Sequence, residues 1–244
     1  MNIEASGDTP RLSLVVPAYN ETDGAAALVA FWREVQGRFP DLLVELVVVD
    51  DGSTDGTADI ARAFGPPVQV LRQPNRGAAS ARNAGIAQSA AALVAFLDAD
   101  DRWLPQRVDE GVRHLSQNPS LGYGCSRMRT FPSPELPADE QRSLRATNAE
   151  YVDGWLTSAL LVRRATLDTV GAFAEDLRIG EVIDWLNRAR AAGITGGMHP
   201  DVLVERRLHR ANSTRVDAGA AHAYLTVAKR HLDRLRAARG DGKA

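Results

Sequence analysis

The chain has 244 residues, 44% of them apolar and 25% charged, the proportions of one large or two small globular domains. Lys and Arg total 29 and Asp and Glu 31, a net charge of −2. Whole-chain disorder, collagen and coiled coil are excluded, and the charge balance argues against a nucleic-acid partner, which calls for a basic footprint. Leu12–Val16 is a continuous apolar run that reads as a strand ending at Pro17. Ala25–Phe39 has helical periodicity, with Leu28, Phe31, Trp32 and Val35 on one face. Leu43–Val49 is a β-branched strand closing in Asp50-Asp51-Gly52, and Thr54–Phe64 a helix with Ser53 or Thr54 as cap. Val68–Leu71 is a short strand, Ala78–Ser89 an Ala-rich helix and Ala92–Leu97 a buried strand. Strands without polar alternation, separated by helices, predict a parallel sheet covered on both faces, the α/β class.

A subdomain edge falls near residue 104. Beyond it, Pro105–Leu115 predicts a helix and Leu121–Phe131 one or two strands. Pro132–Pro137 holds three prolines, so Pro132–Glu150 reads as a surface excursion. Trp155–Val162 predicts a strand, Arg164–Val170 a helix stopped by Gly171, and Glu181–Ala192 a helix stopped by Gly193. Val202–Arg207 predicts the last strand and Ala218–Arg239 a long basic helix. The single cysteine, Cys125, excludes an intramolecular disulfide and reads as a buried hydrophobe. The opening Met1–Pro10 is polar, and no apolar run approaches the ~20 residues of a membrane span. The expectation is a cytoplasmic protein with at most peripheral membrane contact through the last helix.

In an open parallel sheet, ligands bind beyond the carboxyl ends of the strands. Four such ends carry polar clusters: Pro17-Ala18-Tyr19-Asn20-Glu21; Asp50-Asp51-Gly52-Ser53; Asn75-Arg76-Gly77 leading to Arg82-Asn83; and Asp98-Ala99-Asp100-Asp101. Paired acids with fixed arginines suit a metal-bound diphosphate. No GxxxxGK[ST] occurs, and Pro17 replaces any GxGxxG after the first strand.

The segments VVPAYNE (15–21), VVVDDGSTDGT (47–57), NRGAASARNAG (75–85) and AFLDADD (95–101) resemble, in order and spacing, family 2 glycosyltransferases with the GT-A fold. The resemblance implies one domain over residues 1–244. A mostly parallel mixed sheet of seven strands is built on a nucleotide-sugar-binding half (11–104), followed by an acceptor half (105–215) and a C-terminal helix (216–244). It implies transfer of a sugar from a nucleotide-diphosphate donor to an acceptor hydroxyl, with inversion. Carried over, the backbone of Pro17, Ala18 and Tyr19 and the Glu21 carboxylate frame the nucleoside. Asp51, or less readily Asp50, accepts from the N3–H of a uracil-like base. Arg82 and Asn83 sit near the donor, and Asp98-Ala99-Asp100 is a DXD motif. Carboxylates at i and i+2 of a turn leaving a strand can aim at one cation, and oxygen ligands of this kind suit Mg²⁺ or Mn²⁺.

Family members commonly place Glu-Asp at the start of the helix after Gly180, where this chain reads Glu181-Val182-Ile183-Asp184. Glu181 and Asp184 share a helix face and are the candidate base pair. Val182 cannot take a proton, which keeps open a non-catalytic nucleotide-sugar-binding module. A sugar-1-phosphate nucleotidyltransferase is a weaker alternative, for want of a Gly-rich basic loop after the first strand. In Arg206–Asn212 the resemblance places Arg207 and His209 over the diphosphate, His209 as a third metal ligand. The acceptor, a glycan, lipid-linked sugar or peptide, is expected to use Pro132–Glu150, Trp155 and the Glu181 helix.

Overall fold

The computed structural model describes residues 12–38, 44–63, 65–66, 68–210 and 220–238. The expected helix ends at Phe39 and Phe64, the strand start at Leu43, and Met1–Pro10, Ala211-Asn212 and Arg239 lie outside these residues. The first half alternates as the apolar runs predict: β1 (Leu12–Ala18), α1 (Thr22–Arg38), β2 (Val44–Asp50), α2 (Thr57–Arg62), β3 (Val68–Arg72), α3 (Ala78–Gln88) and β4 (Leu93–Phe96). The second half holds β5 (Arg102–Trp103), α4 (Arg107–Gln117), β6 (Leu121–Pro132), α5 (Ala138–Thr147), β7 (Tyr151–Asp153), a 3₁₀ turn (Thr157–Ala159), β8 (Leu161–Arg163), α6 (Arg164–Val170), α7 (Glu181–Ala191), β9 (Thr195–Leu208) and α8 (Ala220–Ala238).

Among the described residues the strands form one sheet of nine in the order β3-β2-β1-β4-β8-β6-β9-β5, with β7 on β6. The two strands beyond the expected seven are β5, of two residues, and β7, of three. β1 runs parallel to β2 and β4, and β2 to β3. β8 is antiparallel to both β4 and β6, and β6 is parallel to β9. Two reversals restore the direction, so β1, β2, β3, β4, β6 and β9 all end on one edge. Pro17 fits there because its missing N–H points to the β4 side, past the last pairing Val15↔Phe96.

Period-two burial separates two layers. Leu12, Leu14 and Val16 pack with Leu28, Trp32 and Val35 of α1 and with Val108 and Leu115 of α4. Val15, Val94 and Phe96 face the other way, toward Leu167, Val182, Trp185 and Leu186. α3 lies directly on β1 because position 85 is glycine; a Cβ there would collide with the Val15 side chain.

Three expectations change. The helix expected from Thr54 begins at Thr57, because Ser53 and Thr54 are engaged with the turn after β1: Asn20 N–H donates to Ser53 Oγ (2.9 Å) and Thr54 N–H to Asn20 Oδ1 (2.9 Å). The excursion at Pro132–Glu150 contains α5, which starts beyond its last proline. Trp155–Val162 is not one strand: the chain turns through the 3₁₀ segment before β8.

Candidate functional site

At the end of β2 the two acids divide. Asp50 is fully buried; it accepts from Ser53 N–H (3.1 Å) and pairs with Arg72 Nε (3.1 Å), closing its own turn. Asp51 reaches the β3–α3 loop, accepting from Gln73 Nε2 (2.8 Å), Arg76 N–H (2.9 Å) and Gly77 N–H (2.8 Å). A carboxylate offers about four lone-pair positions, so one stays open. Beside it Ala18 accepts the Asp51 N–H through its carbonyl (2.8 Å), and the Tyr19 ring is half exposed. Glu21 is tied by its N–H to Thr57 Oγ1 (2.9 Å) and faces Arg207 at 3.6 Å.

The centre of the edge is organised by Arg82, only 3% exposed. Its guanidinium donates to Asp98 Oδ1 (2.6 Å) and, 99 residues along the chain, to Glu181 Oε1 (2.7 Å), joining the strand end to the first turn of α7. Burial opposes the charge on Arg82, but Asp98 and Glu181 outweigh it and raise the guanidinium further above its usual value. Asn83 turns aside: its amide donates to Phe173 O and Glu175 and accepts from Phe173 N–H, bracing the loop before α7.

The Asp98–Asp101 turn is held from below. Gly24 lets α1 approach it, since a Cβ there would strike the Ala99 carbonyl. Ser158 accepts from Asp98 N–H (3.2 Å), donates to Asp101 Oδ2 (2.6 Å) and takes Trp103 Nε1–H on its carbonyl (2.8 Å). Burial, with repulsion from Asp100 and Asp98, pushes the Asp101 carboxyl well above the usual range. Asp100 Oδ2 lies 2.7 Å from His209 Nε2. Burial works against the Asp100 charge, yet the His209 hydrogen bond and the neighbouring positive charges hold its carboxyl below the ordinary value. Arg207 N–H donates to Asp101 Oδ1 (3.2 Å), fixing the end of β9 against the turn.

Glu181 and Asp184 point to different places. Asp184 is 1% exposed and points into the protein, onto Arg188 Nε (3.0 Å) and the Arg234 guanidinium of α8 (2.7 Å). Arg188 in turn donates to the carbonyls of Val170 and Ala172 (both 2.6 Å). Asp184 therefore clasps α8 and the α6–α7 loop to α7, while Glu181 alone reaches the sheet edge. Ser158 and Thr157 were not singled out by the sequence; they reach the turn only because the 3₁₀ segment brings residues 57–60 positions away beside it.

Residues 13–162 match the family described as Glycosyl transferase family 2. The chain belongs to that family. The glycosyltransferase AglE of Haloferax volcanii is 30% identical over 204 residues, 80% of this chain and 66% of that protein. S. aureus TarS in complex with UDP-GlcNAc superposes with a TM-score of 0.73 at 18% identity, over 93% of this chain and 66% of that one. Glucosyl-3-phosphoglycerate synthase from Mycobacterium tuberculosis, in complex with Mn²⁺, UDP and phosphoglyceric acid, gives 0.63 at 21%, over 92% and 79%. These structural likenesses establish the GT-A fold. The chain spans just under two thirds of the AglE length. Glu181, Arg207 and His209 lie beyond the family-matched segment.

Among the described residues no three His, Cys, Asp or Glu side chains are gathered to hold an ion by themselves. What the family edge does offer is one carboxylate and one imidazole, Asp100 and His209, already at hydrogen-bond distance, with Asp98 engaged by Arg82. That donor set fits a hard divalent ion, which commonly takes one or two protein ligands and completes its shell with phosphate oxygens and water. No described helix is long and apolar enough to cross a membrane.

Proposed function

We propose that this family 2 chain transfers a sugar from a UDP-type nucleotide sugar to an acceptor hydroxyl, with inversion, using Mg²⁺ or Mn²⁺. The observation that carries the reading is the joining of Asp98 and Glu181 by one buried guanidinium, beside Asp100 and His209, on the carboxyl edge of a GT-A sheet. The UDP-GlcNAc complex of TarS and the Mn²⁺ and UDP complex of the mycobacterial synthase support the nucleotide and the metal. Asp51, with its open lone pair, receives an N–H at the edge of the base, which favours uracil over cytosine. Asp100 and His209, with Asp98 where Arg82 releases it, hold the metal. When bound, the ion offsets charge on the departing diphosphate. Arg207, tied to Glu21 and to the Asp101 turn, supplies fixed positive charge from the far side.

Glu181 is the base. Its carboxylate takes the acceptor proton while the acceptor oxygen bonds to the anomeric carbon and the bond to the diphosphate breaks on the opposite face. Val182 packs in the core with Phe173 and Trp185, so packing accounts for its apolar identity and it gives the non-catalytic reading no support. Titration calorimetry of UDP with Mn²⁺ tests the proposal. Asp100→Ala should fold normally and lose metal-dependent UDP binding; unchanged affinity would overturn the assignment.

A further inference from the structure

The last helix, α8, has an apolar face that nothing in the fold covers. Among the described residues six large hydrophobic side chains are exposed, and four of them, Tyr224, Leu225, Leu232 and Leu235, lie on α8. Their spacing is regular. Leu225 and Leu232 repeat at two helical turns, and Ala221, Ala228 and Leu235 do the same in the adjoining row, so all five fall on one side of the helix. The opposite side is occupied. Val227 is buried and covers Gly180, Arg230 pairs with Asp176 and Arg234 with Asp184, which fastens α8 to α7 and to the loop before it. From Ala221 to Leu235 the outward stripe runs about 20 Å, at ~1.5 Å per residue.

A row of cations borders this stripe. His222, Lys229 and Arg236 are exposed and also repeat at two helical turns. Lys229 follows Leu225 by one turn and precedes Leu232 by one, which sets it alongside both. Its ammonium has no hydrogen-bond or ion-pair partner among the described residues. Arg236 faces Asp233 at 3.6 Å, and Asp233 is the one acid in Ala220–Ala238. The two arginines of the inner side are already neutralised by acids of the fold, so the outer row carries the uncompensated charge.

A second copy of α8 suits this face poorly. Antiparallel pairing about a two-fold axis sets the cation row against itself, and parallel pairing sets it against Tyr224 and His231, with no acid in either arrangement. An anionic bilayer answers both features. Leucines on such a helix enter the headgroup boundary by ~5–10 Å, while lysine and arginine stems lie along the apolar surface and keep their charge at the phosphates.

We propose that α8 docks the chain on an anionic lipid surface, with Leu225, Leu232 and Leu235 in the boundary and Lys229 and Arg236 at the headgroups. No described helix is long and apolar enough to cross the bilayer, so α8 lies along it. Because Val227 packs against Gly180, docking holds the first turn of α7 within ~20 Å of the membrane, about two helix diameters.

Co-sedimentation of the full chain with unilamellar vesicles tests this. The chain should bind equimolar phosphatidylglycerol and phosphatidylcholine, and bind phosphatidylcholine alone much more weakly. Raising salt from about 0.1 to 1 M, which cuts the Debye length from ~10 to ~3 Å, should weaken the anionic binding. Leu225→Ser with Leu232→Ser should weaken it about tenfold or more. Lys229→Gln with Arg236→Gln should weaken it about twentyfold, near fivefold for each surface cation. All four positions are exposed, so both variants should keep the wild-type Tm and UDP affinity. No binding to anionic vesicles, equal binding to neutral ones, or wild-type binding by either variant would overturn the proposal. So would a dimer in sedimentation velocity that Leu225→Ser with Leu232→Ser dissociates, since the stripe would then be an interface between copies.

Discussion

Replacing Arg82 by Met keeps the aliphatic stem and removes the charge that Asp98 and Glu181 share. The Arg82 side chain is 4% exposed, that of Glu181 13% and that of Asp98 33%. Removing one partner of a buried pair costs about 3–5 kcal/mol, because the charge left behind is uncompensated. Asp98 keeps much of its hydration, so the cost comes mainly from Glu181 and falls at the lower end, about 3 kcal/mol. At ~2–4 °C per kcal/mol for a domain of this size, Tm should drop by about 6–12 °C. Thermal unfolding gives the comparison, and Glu181→Gln in the Arg82→Met background should recover part of the loss. A variant within about 0.5 kcal/mol of wild type at pH 8 would show that this guanidinium does not hold the edge together.

Three further outcomes are expected. Asp184→Asn should lower stability by about 2 kcal/mol by removing a buried charged hydrogen-bond acceptor, and should speed limited proteolysis in α8 without altering UDP affinity; an unchanged proteolytic pattern would refute the clasp. Burial pushes the Cys125 thiol up to about 12, with Arg107 and Arg190 pulling the other way, so iodoacetamide at pH 8 should label it only after denaturation, and rapid labelling of the folded chain would count against the packing described. Burial, then His199 and Arg107, lower the pKa of His114 from 6.5. The unfolded chain takes that proton first, so the His114 contribution is intact above about pH 6.5 and shrinks as pH falls toward the folded value; His114→Gln should lose less Tm than wild type between about pH 7.5 and 5.5, and parallel curves would refute this.

The first half is legible because local signals agree there: its short apolar runs are strands, and each ends in turn-forming or acidic residues. The second half reads less well for physical reasons. Pro132, Pro134 and Pro137 conceal α5, although the acids Asp139 and Glu140 just after Pro137 are the usual first-turn signal. Apolarity at Trp155–Val162 reflects burial and not extension, and Ser158 matters through partners across the fold. Spacing placed Glu181 and Asp184 on one face; which of them faces the sheet edge is decided by α8, whose Arg234 claims Asp184 from fifty residues away. No local pattern contains that information.

The Arg234–Asp184 clasp also bears on how the chain matures during synthesis. Asp184 is made early enough to fold with its sheet, and Arg188 emerges with it, but Arg234 follows 50 residues later. At ~5–20 residues per second, that interval lasts about 3–10 s, during which a carboxylate destined for the interior has half its compensation. Through that interval Gly180 also lacks the cover of Val227. The first turn of α7, which carries Glu181, is thus fixed late, and a nascent chain stalled before residue 234 would hold a finished first half beside an unfinished second one.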